Sequence, residues 1–300
     1  MVGAAVGLWV ARAGTLEDLV ADSSRWGEPV TERLIRDWTA KGLLDSPERR
    51  GAGQGLGSQM GVYSSNQREL FWALLDKRAQ VGRKVSRLAA VVLVMWAFWG
   101  DAYVPTRQAR KALETSLGTR DHPEKAAERN ARKFAEDFRH PDASHTDVNR
   151  LRRLTKSLLT KGRIEAPDDF EATFRRVVDP HHEGRRLLPP GINVGLSLSP
   201  QQVVAVAMKR ARAINAFRAD RVEDTHLERV RQELQATFVE YAMQNPLLAA
   251  LSTQRLVDVA RTHELQQLTD GISENIWLVL GALLDSEKAM ENRQRQSGSA

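Results

Sequence analysis

The sequence predicts a mainly α-helical chain with one small β element near its N-terminus. Three stretches carry that expectation. VTERLIRDWTAKGLL (Val30–Leu44) reads as a short helix that begins at a hydroxyl cap and stops at a glycine, and a glycine-rich gap then leads to the extended, aromatic Val62-Tyr63-Ser64. Val85–Trp99 is apolar on nearly every side, as expected of a helix at the centre of a core or an oligomer interface. From Pro200 onward the apolar spacing is helical throughout.

In chain order, MVGAAVGLWVARAG is apolar but lacks a basic start and is too short to span a bilayer, so it is a packed lead-in or a tail. Thr15–Ala21 reads as a first helix. Thr15 and Asp18 have capping-box spacing, and Leu16, Leu19 and Val20 form its inward stripe. Ser23–Glu28 is the turn. Thr31 caps the second helix by accepting a bond from an otherwise unpaired amide, with Pro29 just outside it. Glu32 suits the positive end of the helix dipole. Leu34, Ile35 and Trp38 share an apolar face, while Arg33, Arg36 and Asp37 point elsewhere. Gly42 is the stop, and Lys41 complements the last turn.

Two helices, a turn, and a glycine-rich loop returning as a strand are the parts of a winged helix-turn-helix, in that order. Such a motif lays its second helix in the major groove of duplex DNA. The expected contacts are Thr31, Arg33, Arg36 and Lys41 on the helix, Arg49 and Arg50 at the base of the wing, and Tyr63 on its return. Arginine is the commonest reader of guanine. Glycines in Gly51–Gly61 let a backbone approach a phosphate closely, and no Lys-Ser/Thr follows them to make a nucleotide cradle.

The same residues resemble the second helix of the MerR family. That family has a Val-Ser/Thr start, a Leu/Ile-Arg pair, an aromatic two residues later and a closing Lys-Gly-Leu-Leu. Val30, Thr31, Ile35, Arg36, Trp38, Gly42, Leu43 and Leu44 fall in register, and Val62-Tyr63-Ser64 before a helix resembles the end of the family's wing. The likeness covers roughly residues 14–80. It implies a DNA-binding regulator, usually dimeric, with the wing against the DNA backbone. The chain departs from the family at Gly61, where an arginine is usual, at Asp37, where an aromatic is common, and in the long glycine-rich segment before Val62.

After the wing, Asn66–Gln80 is an amphipathic helix capped by Ser64 or Ser65, burying Leu70, Phe71, Leu74 and Leu75. Six of the seven tryptophans fall before residue 100, which predicts a compact core there. Pro105–Leu117 and Glu124–Phe138 are further helices. Asp147 is the expected cap of a basic helix, Val148–Arg163, with Leu151, Leu154, Leu158 and Leu159 inward. Its Arg150, Arg152, Arg153 and Lys156 form a possible second phosphate contact or a solvated face. Asp168–Val178 follows. Beyond Pro200 the expected helices are 201–219, 223–244, 246–251, 253–268 and 272–286, with Asp224, Ser252 and Asp270 as caps.

Charge is unevenly spread. Residues 1–190 hold 32 Lys and Arg against 25 Asp and Glu, and residues 191–300 hold 12 against 13. That places polyanion binding in the first two-thirds. The absence of cysteine excludes disulfides and thiol-ligated metals and fits a cytoplasmic protein. His181-His182-Glu183 is the one His/carboxylate cluster along the chain. Neighbours on an extended segment point apart, so no metal is expected. No HExxH, GK[ST] phosphate loop or GxSxG occurs, and no enzyme activity and no cofactor are expected. Leu88–Gly100 is too short for a membrane span.

The expected organisation is a DNA-binding domain at 1–80, a helical and basic region at 81–180, a linker at 181–199, a helical dimerisation or sensing domain at 200–290, and a disordered tail at 291–300. The leading expectation is a MerR-like transcription regulator that binds double-stranded DNA as a homodimer or higher homo-oligomer, with an effector the sequence does not identify. A plasmid or phage DNA-architectural, partition or excision-type protein assembling on several sites is the alternative, and a helical protein-interaction scaffold is another.

Overall fold

A computed structural model of the chain describes residues 12–48, 61–81, 84–118, 123–161, 164–183, 198–244 and 263–297. The expectations on Arg49, Arg50, the wing tip at 51–60, the helix at 246–251 and most of the 181–199 linker lie outside these residues. The described residues are mainly helical: α1 (Leu16–Arg25), α2 (Glu32–Ala40), α3 (Ser65–Val81), α4 (Val85–Trp99), α5 (Thr106–Leu117), α6 (Pro123–Phe138), α7 (His145–Lys161), α8 (Pro167–Val178), α9 (Pro200–Arg218), α10 (Asp224–Gln244) and α11 (His263–Ser297). Extended pairing among them is limited to two antiparallel bridges, Gly14 with Tyr63 and Glu48 with Val62. No described helix is long and apolar enough to cross a membrane.

Two compact units divide the chain: Met1–Gly118 with Arg231–Ser273, and Thr119–Val230 with Glu274–Ala300. Helices α10 and α11 each contribute to both. Packing therefore divides the chain differently from the sequence ranges 81–180 and 200–290. Phe170, Phe174, Val177 and Val178 of α8 share one core with Val203, Val204 and Ala211 of α9, across the expected linker. A Pro/Gly-rich connection marks a loop; apolar residues on both sides of it can still bury one another.

In the first unit α4 is the centre. Leu88 to Ala97 are buried almost without exception, and α3 and α5 pack on it. Trp38 of α2 meets Phe71 of α3 edge-on, with ring centroids 5.9 Å apart. Two buried polar groups organise the surroundings. Arg68 of α3 donates from Nε to Asp22 of α1 at 3.0 Å, with side-chain exposures of 7% and 2%. Its Nη1 donates to the Arg12 carbonyl. Gln67 accepts from the Asp45 amide and donates to the Tyr103 carbonyl and to Gln108, which in turn donates to the Leu43 carbonyl. Each of these bonds joins segments distant in sequence, and together they answer the hydrogen-bonding demand of two buried amides.

The second unit is built around Phe134, Phe138 and Phe174, whose rings meet at 5.0–5.6 Å. Helices α6, α7, α8 and α9 close around them. Helix α11 packs on α9 through Phe217 and Trp277 and through Gly281, where an added Cβ would lie 2.3 Å from the Lys209 carbonyl oxygen.

Several element boundaries differ from those expected. Helix α1 runs on to Arg25, and within it the Ser23 and Ser24 hydroxyls both donate back to the Val20 carbonyl. Its buried face is Leu19, Asp22 and Ser23, while Leu16 and Val20 are only half-buried. Helix α7 starts at His145. Ser144 is its cap, accepting from the Asp147 amide while Asp147 accepts from the Ser144 hydroxyl. Helix α11 passes through Asp270 and Gly271 unbroken and continues to Ser297, so 291–297 is helical where a disordered tail was expected. The terminal Glu, Arg and Gln residues are good helix formers, and the helix needs no core to carry them on.

Removing one partner of the Asp22–Arg68 pair leaves a buried charge unanswered. Asp22→Ala should lower unfolding free energy by about 3–5 kcal/mol, and Asp22→Leu combined with Arg68→Met should restore much of it, measured by urea denaturation. At Gly42, φ is +72° and a Cβ would fall 2.4 Å from Lys111 Cβ and 2.7 Å from the Ala112 nitrogen. Gly42→Ala should cost about 2–4 kcal/mol in the same assay, since left-handed backbone and overpacking both oppose it.

Candidate nucleic-acid interface

The N-terminal site grows from local capping. Thr15 accepts from the Asp18 amide while Asp18 accepts from the Thr15 amide at 2.8 Å, so the capping box forms with Asp in place of Glu. Ser23 Oγ accepts from the Val30 amide at 3.0 Å, which fixes the turn between α1 and α2. Thr31 Oγ1 accepts from the Leu34 amide and starts α2. Gly42 at positive φ ends it, with the Leu43 amide returning to the Trp38 carbonyl. Ile35 and Trp38 are buried and Leu34 is half-buried, which leaves the opposite side of α2 to solvent.

That side carries the expected cations. Arg33 is exposed and makes no ion pair among the described residues. Arg36 is 68% exposed and pairs with Glu32 at 2.8 Å. Lys41 pairs with Asp37 at 2.8 Å. Exposed pairs of this spacing contribute only about 0.3–0.5 kcal/mol, so a phosphate can displace either carboxylate at small cost. The Thr31 hydroxyl accepts the cap bond and keeps its own O–H to donate.

Tyr63 is placed differently from the expected contact residue. It is 3% exposed, and its hydroxyl meets Thr39 Oγ1 at 3.3 Å. Its backbone exchanges two bonds with Gly14, of 2.8 and 3.0 Å. It pins the returning segment against α2. The Glu48–Val62 bridge sits at the two ends of the segment holding Arg49 and Arg50, with both amides donating at 2.9 Å. A cleft of about 780 Å³ opens beside it, walled by Arg36 and Thr39 of α2, Leu16 and Glu17 of α1, and Pro47 and Gly61. The sequence reading missed Ser23 and Thr39 as organisers. Both are ordinary polar residues at helix ends, and only the fold supplies their distant partners.

On α7, three of the four expected cations are already engaged. Arg150 pairs with Asp169, and Arg152 and Lys156 both pair with Glu128 of α6, while Arg153 is exposed with no ion pair among the described residues. The two cations hold the Glu128 carboxyl below its usual range through side-chain hydrogen bonds, Lys156 contributing most. Helix α6 adds what the sequence reading left out. Lys125, Arg129 and Arg132 recur along one face, are exposed, and flank the same cleft of about 380 Å³ between α6 and α7. Residues spaced at i, i+4 and i+7 were legible as a helix stripe, but their convergence with α7 depends on packing.

Glu128 is the counter-charge of that cleft. Glu128→Gln should tighten duplex binding at low salt and steepen its salt dependence by about one counterion. Fluorescence anisotropy across a salt series reads this, and unchanged binding would remove the α6–α7 cleft from the interface. Comparison of the chain with protein-family models, with curated proteins and with solved structures gives no match.

Proposed function

We propose that the chain binds double-stranded DNA through the outer face of α2. The observation that carries this is a short helix capped at Thr31, closed at Gly42 and seated by Ile35 and Trp38, that presents Arg33 and Arg36 to solvent beside the bridged ends of the 49–61 segment. Two helices joined by a fixed turn, followed by a segment bridged at Glu48 and Val62, support a winged helix-turn-helix reading, in which α2 would enter the major groove. The arginine side chains supply bidentate donors suited to guanine or phosphate.

The finer reading is a MerR-like transcription regulator. It rests on the register of Val30, Thr31, Ile35, Arg36, Trp38 and Gly42 and on the placement of Tyr63 against α2. In this reading the protein works as a homodimer on a two-fold operator, with half-sites one or more helical turns apart. The α6–α7 cations add a second, sequence-independent phosphate contact.

Binding to a random duplex across a salt series tests the proposal. Arg33→Ala and Arg36→Ala should each lower affinity and reduce the slope of log K against log salt by about one. Binding that ignores salt and both variants would overturn it and turn attention to protein partners.

A further inference from the structure

The turn after α6 and the segment after α8 meet in the second unit. The His140 amide donates to the Val177 carbonyl at 3.0 Å, and the Ala143 amide returns to the His140 carbonyl, also at 3.0 Å. Beyond α8, the Asp179 carbonyl accepts from the His182 amide and the Asp179 side chain from the Glu183 amide. These bonds shape two short connections so that three side chains converge. One ring nitrogen of His140, one of His181 and a carboxylate oxygen of Asp142 all lie within 4.8 Å of one another. Asp142 Oδ2 is 3.0 Å from His181 Nε2 and 3.8 Å from His140 Nδ1.

We propose that His140, Asp142 and His181 form a binding site for a divalent transition metal of zinc-like softness. The donor set is two imidazoles and one carboxylate. That combination suits zinc, cobalt, nickel or copper and is a poor match for magnesium or calcium, which take oxygen ligands. Ligand atoms of a tetrahedral zinc, at bonds of about 2.0–2.1 Å, stand roughly 3.3 Å apart. These two separations bracket that value, and all three donors lie within 4.8 Å of one another, so modest side-chain movements bring them toward it. The Asp142 amide now donates to His140 Nδ1 at 3.2 Å, and a metal taking that nitrogen would replace one long hydrogen bond. The site lies at the surface, with His140 24% exposed and the other two more than half exposed, so a hydrated ion reaches it directly. Three protein ligands leave a coordination position for water or a fourth donor.

The adjacent His181-His182-Glu183 run is not the site. His182 sits at φ +58° and Glu183 is tied back through its amide, whereas the partners of His181 lie before α7, Asp142 being 39 residues away. A bound ion would join the two connections that flank α7 and α8, and would stabilise the unit in proportion to its occupancy.

The test uses the untagged full-length chain and Co²⁺ as probe, with Zn²⁺ as competitor. One Co²⁺ per chain should bind with a visible absorption band that Zn²⁺ abolishes. His181→Ala and Asp142→Asn should each weaken binding by at least about tenfold, no less than the loss of an outer-shell partner. His182→Ala should leave it unchanged. Zn²⁺ should raise the melting temperature of the wild type and not of His181→Ala, while the two proteins melt together without metal. No bound cobalt, equal loss in His182→Ala, or indifference to both ligand variants would each overturn the assignment.

Discussion

The N-terminal unit depends on a buried ion pair. Asp22 and Arg68 lie on helices 46 residues apart in sequence, and both are removed from water. Taking two charges into the interior is costly, and their attraction offsets that cost only when every remaining proton is placed. Here Arg68 divides its donors between Asp22 and the Arg12 carbonyl, so one guanidinium fixes α1, α3 and the segment before α1 at once. Gly14 of that segment pairs with Tyr63, and Tyr63 reaches Thr39 of α2. An apolar pair of similar volume would hold α1 to α3 without the bond to the Arg12 carbonyl that ties down the segment before α1.

Upon that frame, charge is distributed by accessibility. Arg36 of α2 and Lys41 just after it hold Glu32 and Asp37 only through exposed pairs four residues apart. Such exposed pairs are weak, and another anion can displace either carboxylate at small cost. Arg107 is as exposed as Arg36, but its partner Asp45 is largely buried. Its bidentate hold on Asp45 raises an already strong base and anchors the chain just after α2 to α5. Glu128 sits between these cases, facing two cations in a cleft whose other lining cations form no ion pair among the described residues.

Local chemistry was legible in the sequence and distant pairing was not. The caps at Thr15 and Thr31, the stop at Gly42 and the buried stripes of α3 and α4 follow from side chains within a few residues of one another. Nothing in the sequence near Asp22 points to Arg68, 46 residues away. Tyr63 reads as a contact residue until its hydroxyl meets Thr39. Asp147 has the chemistry of a cap, but Ser144 is three residues earlier and the helix takes the earlier start. Asp270-Gly271 reads as a helix break; the apolar face of α11 on α9 overrides the local propensity. His181 has two neighbours in sequence that resemble ligands, while its partners in space come from the other side of α7 and α8.

The proposed reading of base edges by α2 is tested by enriching duplexes from a random pool and probing guanine N7 methylation on the enriched sequence. A recovered motif with protected guanines spaced by whole helical turns is expected, with loss of protection at particular bases in Arg33→Ala or Arg36→Ala. Enrichment of no sequence, or a motif whose guanines stay fully reactive in the complex, would contradict it.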